Sequence, residues 1–167
     1  MEKKLAITIL AGVLLASFSG QSNATDEQVS CLALNIYHEA RDQSIAGQIA
    51  VGLVTLNRVR DDRFPDTICE VVMEGPHRAS WKGTGEMIPI KNLCQFSWYC
   101  DGKSDKIYDE KVYSEIFSLA QMLINQTMID ITSGATHYHA DYVEPAWAKT
   151  KTRTTKIKDH IFYRWEH

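Results

Sequence analysis

Asp26-Glu-Gln-Val-Ser-Cys-Leu-Ala-Leu-Asn-Ile-Tyr-His-Glu-Ala-Arg41 places apolar side chains at Val29, Leu32, Ala33, Ile36, Tyr37 and Ala40. That spacing is the stripe of one helical face and predicts an amphipathic helix. Glu39 lies seven positions after Leu32 and three after Ile36, so at about 100° per residue it falls on the same stripe. A carboxyl group there faces inward. Burial disfavours its ionised form and raises its pKa, as a general acid working near neutral pH requires. The competing reading is a structural ion pair of Glu39 with Arg41 or Arg58.

Ser44 to Val59 follows with Ile45, Ile49, Leu53 and Leu56 on one stripe and Ala46, Ala50 and Val54 on another. A helix apolar around most of its circumference is expected at the centre of the fold. Asp66 is placed to cap a short helix containing Ile68, Val71 and Val72, which stops at Gly75-Pro76. Residues 75–92 hold three glycines and two prolines with little periodicity and predict a long loop. Asp109 then caps a helix with Val112, Ile116, Leu119, Ala120, Leu123 and Ile124. Beyond Gly134, Ala135-Thr-His-Tyr-His139 and His160-Ile-Phe-Tyr-Arg-Trp165 are rich in strand formers and predict a pair of short strands. The expected class is α+β, mainly helical, in a single domain.

The chain of 167 residues carries 18 Lys+Arg against 21 Asp+Glu, a formal charge of −3, with 44% hydrophobic and 10% aromatic residues. It is too apolar for disorder, and the absence of a basic excess argues against nucleic acid as partner. Lys3 and Lys4 precede an apolar run from Leu5 to Phe18, and Ser22-Asn-Ala24 supplies small residues for signal peptidase. Residues 1–24 read as a secretory signal peptide cleaved after Ala24, with 25–167 as the mature domain. An uncleaved anchor is the alternative, so contact with a membrane is expected only through this segment. Cys31, Cys69, Cys94 and Cys100 all lie in the exported part, where disulfides are favoured. Three connectivities are open, although Cys94 and Cys100 enclose only five residues and would close a small loop.

His137-x-His139 on a strand turns both imidazoles to one face, a metal-ligand pattern that His38 or Glu39 would extend. Histidines in strands also serve as hydrogen-bonding groups, and no C-x-x-C spacing supports zinc. Neither a G-x-S-x-G elbow nor a Walker loop is present. Phe96, Trp98, Tyr99, Tyr138, Tyr142 and Trp147 flank the long loop and the strand, where aromatic faces suit sugar rings or core packing.

Cys31 to Arg41, Gly47-Gln-Ile-Ala-Val51, Leu56-Asn-Arg-Val59, Phe64-Pro-Asp-Thr67, Cys94-Gln-Phe-Ser-Trp98, Asp101-Gly102 and Gly134-Ala-Thr-His-Tyr-His139 together resemble the SleB-type cell-wall hydrolases, the family of the spore-cortex-lytic enzymes. The resemblance runs from about Cys31 to Arg164. It implies a lysozyme-like or lytic-transglycosylase-like domain that cleaves peptidoglycan between N-acetylmuramic acid and N-acetylglucosamine, with Glu39 as the catalytic residue. It further implies Gln95, Ser97, Thr132, Tyr138 and His139 as cleft residues binding glycan, with no metal or other cofactor, in an exported monomer. A zinc-dependent wall amidase or peptidase using His137 and His139, and a non-catalytic wall-binding domain, are the rival readings. The four cysteines, and the lack of a separate peptidoglycan-binding repeat, point away from the spore setting and towards a periplasmic or phage lysis enzyme.

Overall fold

The apolar stripes of four helices meet in one core. These helices are α1 (Ser22–Ala40), α2 (Ile45–Val59), α3 (Ile68–Val72) and α4 (Glu110–Ile124), and Leu32, Ile36, Leu53, Leu56, Val72, Ile116, Leu119 and Leu123 interlock between them. The computed structural model describes residues 22–125 and 128–166, so the export segment lies outside the described residues up to position 21. No helix among the described residues is long and apolar enough to cross a membrane.

All six apolar positions expected to face inward on α1 are buried. The helix starts before Asp26, and the expected cleavage point after Ala24 falls in its first turn. α2 is central as expected, with Ala50, Val51, Leu53, Val54 and Leu56 buried, although Ile45 and Ala46 in its first turn are exposed. Gly52 lets α1 and α4 close on it: a Cβ there would lie 2.6 Å from Leu123 Cδ1 and 2.9 Å from Ile36 Cδ1. Asn35 in α1 donates to Thr55 Oγ1 in α2 at 3.0 Å and accepts from Trp98 Nε1 at 2.9 Å, which satisfies a buried amide within the helical layer.

The cap of α3 is Thr67 rather than Asp66. An N-cap must hold extended backbone immediately before the first helical residue, and Thr67 does so while accepting from the Glu70 N–H. Asp109 caps α4 as expected. Residues 75–92 are not wholly irregular, because β1 (His77–Ala79) and β2 (Met87–Pro89) pair as an antiparallel hairpin. Strands of three residues are too short for alternation to register in sequence.

β3 (His137–Ala140), β4 (Thr152–Ile157) and β5 (His160–Arg164) form an antiparallel sheet in the order β3-β5-β4. The expected pairing of β3 with β5 is present, and β4 is an addition whose polar Thr152-Arg-Thr-Thr-Lys156 lacks an apolar alternation. Register sets Tyr138 opposite Phe162, and both pack towards Ala50, Val54 and Ala135. Because strand side chains alternate, His137 and His139 lie on the other face. Trp147 covers them there, with ring centroids 5.3 and 5.6 Å away.

Cys31–Cys69 ties α1 to α3, and Cys94–Cys100 closes the small loop. The first bridge spans 38 positions and the second six, so loop-closure entropy favours the first as the stronger staple. Replacing both Cys31 and Cys69 by Ala should lower the unfolding free energy by about 2–4 kcal/mol. Urea titration of the oxidised proteins checks this, and an unchanged midpoint would refute it.

Candidate active site

Glu39 sits in the last turn of α1, where its inward-facing stripe meets β3. Tyr138 donates its hydroxyl to Glu39 Oε2 at 2.8 Å. Burial holds the Glu39 carboxyl above its usual pKa, while the Tyr138 hydrogen bond and the Arg58 cation oppose it without cancelling it. Burial, and then Glu39 itself, push the Tyr138 phenol well above its ordinary value, so it stays a neutral donor.

Arg58, in the last turn of α2, is 5% exposed. Its Nε donates to the Thr136 carbonyl at 2.8 Å, and its guanidinium lies over Phe64 at 5.3 Å and Phe96 at 5.0 Å. Two aromatic faces thus replace part of its hydration. Neither arginine expected as a structural partner closes an ion pair with Glu39: Arg41 reaches Asp42, and Arg58 is held by Thr136. Glu74, just after α3, also lies within the field of Arg58, and burial raises its pKa against the pull of that cation. Arg58 Nη1 and Glu74 Oε2 are buried without a hydrogen-bond partner among the described residues. Sequence reading passed over Glu74, which lies in no periodic element and has no motif around it.

The residues expected to bind glycan separate into three groups. Tyr138 touches Glu39 directly. Gln95 and Ser97 are exposed on either side of buried Phe96, and the Gln95 N–H bonds the Glu74 carbonyl at 2.9 Å, which sets Gln95 beside Glu74. Thr132 and His139 face elsewhere. Thr132 is fully buried; its hydroxyl donates to Asp130 at 2.6 Å and accepts from Asn57 Nδ2 at 3.3 Å. Asp130 also accepts from the Gly134 N–H at 2.7 Å. Burial works to raise its pKa, but hydrogen bonds from Thr132, Gly134 and Asn57 outweigh it and hold the carboxyl below its usual range. This network shapes the turn that launches β3, where Ser133 and Gly134 both adopt positive φ.

His139 is buried on the outer face of the sheet, with Nδ1 on the Ala140 carbonyl at 2.9 Å and Nε2 on the Tyr163 hydroxyl at 3.1 Å. His137 contacts the Thr136 hydroxyl, and burial followed by the Arg58, Lys151 and Arg63 cations pushes its pKa down to about 3. The two imidazoles share a face as expected, but Glu39 lies on the other side of β3. Among the described residues no group of three His, Cys, Asp or Glu side chains is arranged to hold a metal. His139 commits both nitrogens to protein partners, so the donor set does not fit zinc.

Phe64 and Glu74 also line a groove of about 780 Å³ that extends past Met73 to Gly75 and His77. Glu39 and Tyr138 do not line this groove themselves; Phe64 and Glu74, which do, reach towards them through Arg58. A carboxyl of raised pKa with one oxygen fixed by a phenol suits protonation of a leaving oxygen.

Comparison with known proteins places the chain among wall-degrading enzymes by sequence and fold. The chain is 27% identical over 139 residues to the spore cortex-lytic enzyme of Halalkalibacterium halodurans, an alignment covering 83% of this chain and 35% of that protein. The chain thus spans about a third of the length of this curated relative. The catalytic domain of the germination-specific lytic transglycosylase SleB from Bacillus anthracis superposes with a TM-score of 0.59 at 25% identity, covering 90% of this chain and all of that one. The catalytic domain of the Bacillus cereus SleB protein superposes with a TM-score of 0.58 at 24% identity, covering 87% and 94%. The profile of the family described as Cell Wall Hydrolase matches residues 42–163, which begins just after Glu39 and takes in α2, both hairpin and sheet, and Tyr138. With well over half of its length matched, the chain belongs to the cell wall hydrolase family.

Proposed function

We propose that this domain is an exported peptidoglycan-cleaving enzyme, a lytic transglycosylase acting between N-acetylmuramic acid and N-acetylglucosamine with Glu39 as its acid and base. The observation that carries this reading is the partly buried Glu39 carboxyl, raised in pKa and oriented by Tyr138. The Glu39 hydroxyl gives its proton to the glycosidic oxygen as the bond from that oxygen to C1 of the muramoyl residue breaks. The resulting carboxylate then takes the proton of the muramoyl 6-hydroxyl as that oxygen bonds to C1. A 1,6-anhydro ring forms, no water is consumed, and Glu39 is protonated again.

The alternative chemistry, hydrolysis, needs a second carboxylate at a set separation from the first. Asp101 is occupied by Lys103, Asp130 by the β3 turn and Asp141 by Lys156, which leaves Glu74 on the groove as the second carboxyl that hydrolysis would use. The fold shared with a lytic transglycosylase catalytic domain supports ring closure over hydrolysis. Residues 1–24 then serve as the export signal that brings the enzyme to the wall.

Glu39→Gln should reduce muropeptide release from purified sacculi by about 10²–10⁴-fold. Mass spectrometry of the wild-type products should show species one water lighter than reducing-end fragments. Reducing ends alone would replace transglycosylation with hydrolysis, and undiminished release by Glu39→Gln would remove Glu39 from the mechanism.

The raised pKa of Glu39 fixes the sign of a stability effect. The folded carboxyl holds its proton to higher pH than the unfolded one, so stability falls as pH rises from the unfolded pKa through the folded one. Glu39→Gln should therefore be more stable than wild type at pH 7, with the gap closing near pH 4 in paired denaturation curves. Tyr138→Phe removes the donor that favours the carboxylate, and the alkaline limb of its pH–rate profile should move to higher pH with kcat reduced about tenfold.

A further inference from the structure

Trp81 lies in the turn between β1 and β2 with 80% of its surface exposed, and no motif or core contact accounts for it. The turn has its own hydrogen bonds, Ser80 N–H to the Glu86 carbonyl at 2.8 Å and Gly83 N–H to the Ser80 carbonyl at 3.3 Å. Its root is clamped. The Ile90 N–H bonds the Pro76 carbonyl and the Asn92 N–H bonds the Cys100 carbonyl, both at 2.9 Å. Gly75 approaches so closely that a Cβ would lie 3.0 Å from Cys94 Cα and 3.1 Å from its sulfur. The Cys94–Cys100 loop therefore fixes the base of an arm whose outer end presents a bare indole.

The groove runs up to the arm. Phe64, whose ring Arg58 covers, lines the groove, and Glu74, Gly75 and His77 continue that lining to the first residue of β1. A polymer lying in this groove meets the hairpin. We propose that the hairpin is a glycan-binding arm on which Trp81 stacks a sugar ring of the wall polymer, several units from the bond being cleaved. This rests on the peptidoglycan reading above. A sugar ring offers an apolar C–H face with hydroxyls at its edge, and Trp81 offers the matching flat face next to the hydroxyl of Ser80 and the ammonium of Lys82. A lipid surface would also accept an exposed indole. Continuity with the groove favours the glycan.

The test compares full-length protein carrying Trp81→Ala, Trp81→Tyr or neither. Binding to purified sacculi is read by co-sedimentation in a Glu39→Gln background, and turnover is read on both sacculi and a soluble tetrasaccharide fragment of the glycan. Trp81→Ala should weaken sacculus binding about tenfold and raise KM on sacculi similarly, with kcat and tetrasaccharide turnover unchanged. Trp81→Tyr should restore most of the binding. Unaltered sacculus binding by Trp81→Ala overturns the proposal, as does loss of binding to phosphatidylglycerol vesicles with sacculus binding intact. If the wild type releases no muropeptides but Trp81→Ala still loses sacculus binding, the catalytic reading fails and the arm stands.

Discussion

The hydrogen bond from Tyr138 to Glu39 joins the helical layer to the sheet, and the rest of the molecule is arranged to allow it. A carboxyl on the apolar stripe of a helix needs a donor within reach, because an unpaired buried acceptor costs about 1–3 kcal/mol. The donor comes from a strand far away in sequence. Its alignment depends on the last turn of α2: Asn57 bonds the Ala135 carbonyl at 3.0 Å and Arg58 bonds the Thr136 carbonyl at 2.8 Å. Those two contacts fix the backbone immediately before Tyr138. Thr132, which the resemblance implies as a cleft residue, joins Asp130 in holding the turn from which that backbone emerges.

Electrostatics at the site are arranged in layers around Arg58. The guanidinium lies between two aromatic rings, with one carboxyl on α1 and another after α3 facing it. It opposes the rise in the Glu39 pKa without binding the carboxyl and without cancelling that rise. The same cation helps keep His137 neutral on the far side of β3. A tight ion pair between Arg58 and Glu39 would have fixed the carboxylate form and removed the acid. Holding Arg58 by Thr136 avoids that outcome.

The helices were legible because each buries a long stripe. Leu32, Ile36 and Tyr37 on α1, and Ile116, Leu119 and Leu123 on α4, stand where their period put them. The polar strand β4 and the three-residue strands of the hairpin left no such trace, since their pairing is made by backbone groups that every sequence carries. Asp66 and Thr67 illustrate the limit at helix ends: both are good caps, and one residue of backbone geometry decides between them. The inward direction of Glu39 is legible from helical phase alone. The surroundings of His139 are not, because a motif marks a strand without saying which of its faces meets which neighbours.

The sequence by itself therefore determined the inward carboxyl, the helical class and the cysteines available for cross-linking, because these follow from local period and composition. Only the tertiary structure decided that Tyr138 rather than an arginine meets Glu39, that Glu74 faces the same cation, and that Cys31 pairs with Cys69. Those contacts join residues from different elements. Their geometry is set by how α1 and α2 pack against the sheet, which no single stretch of chain encodes.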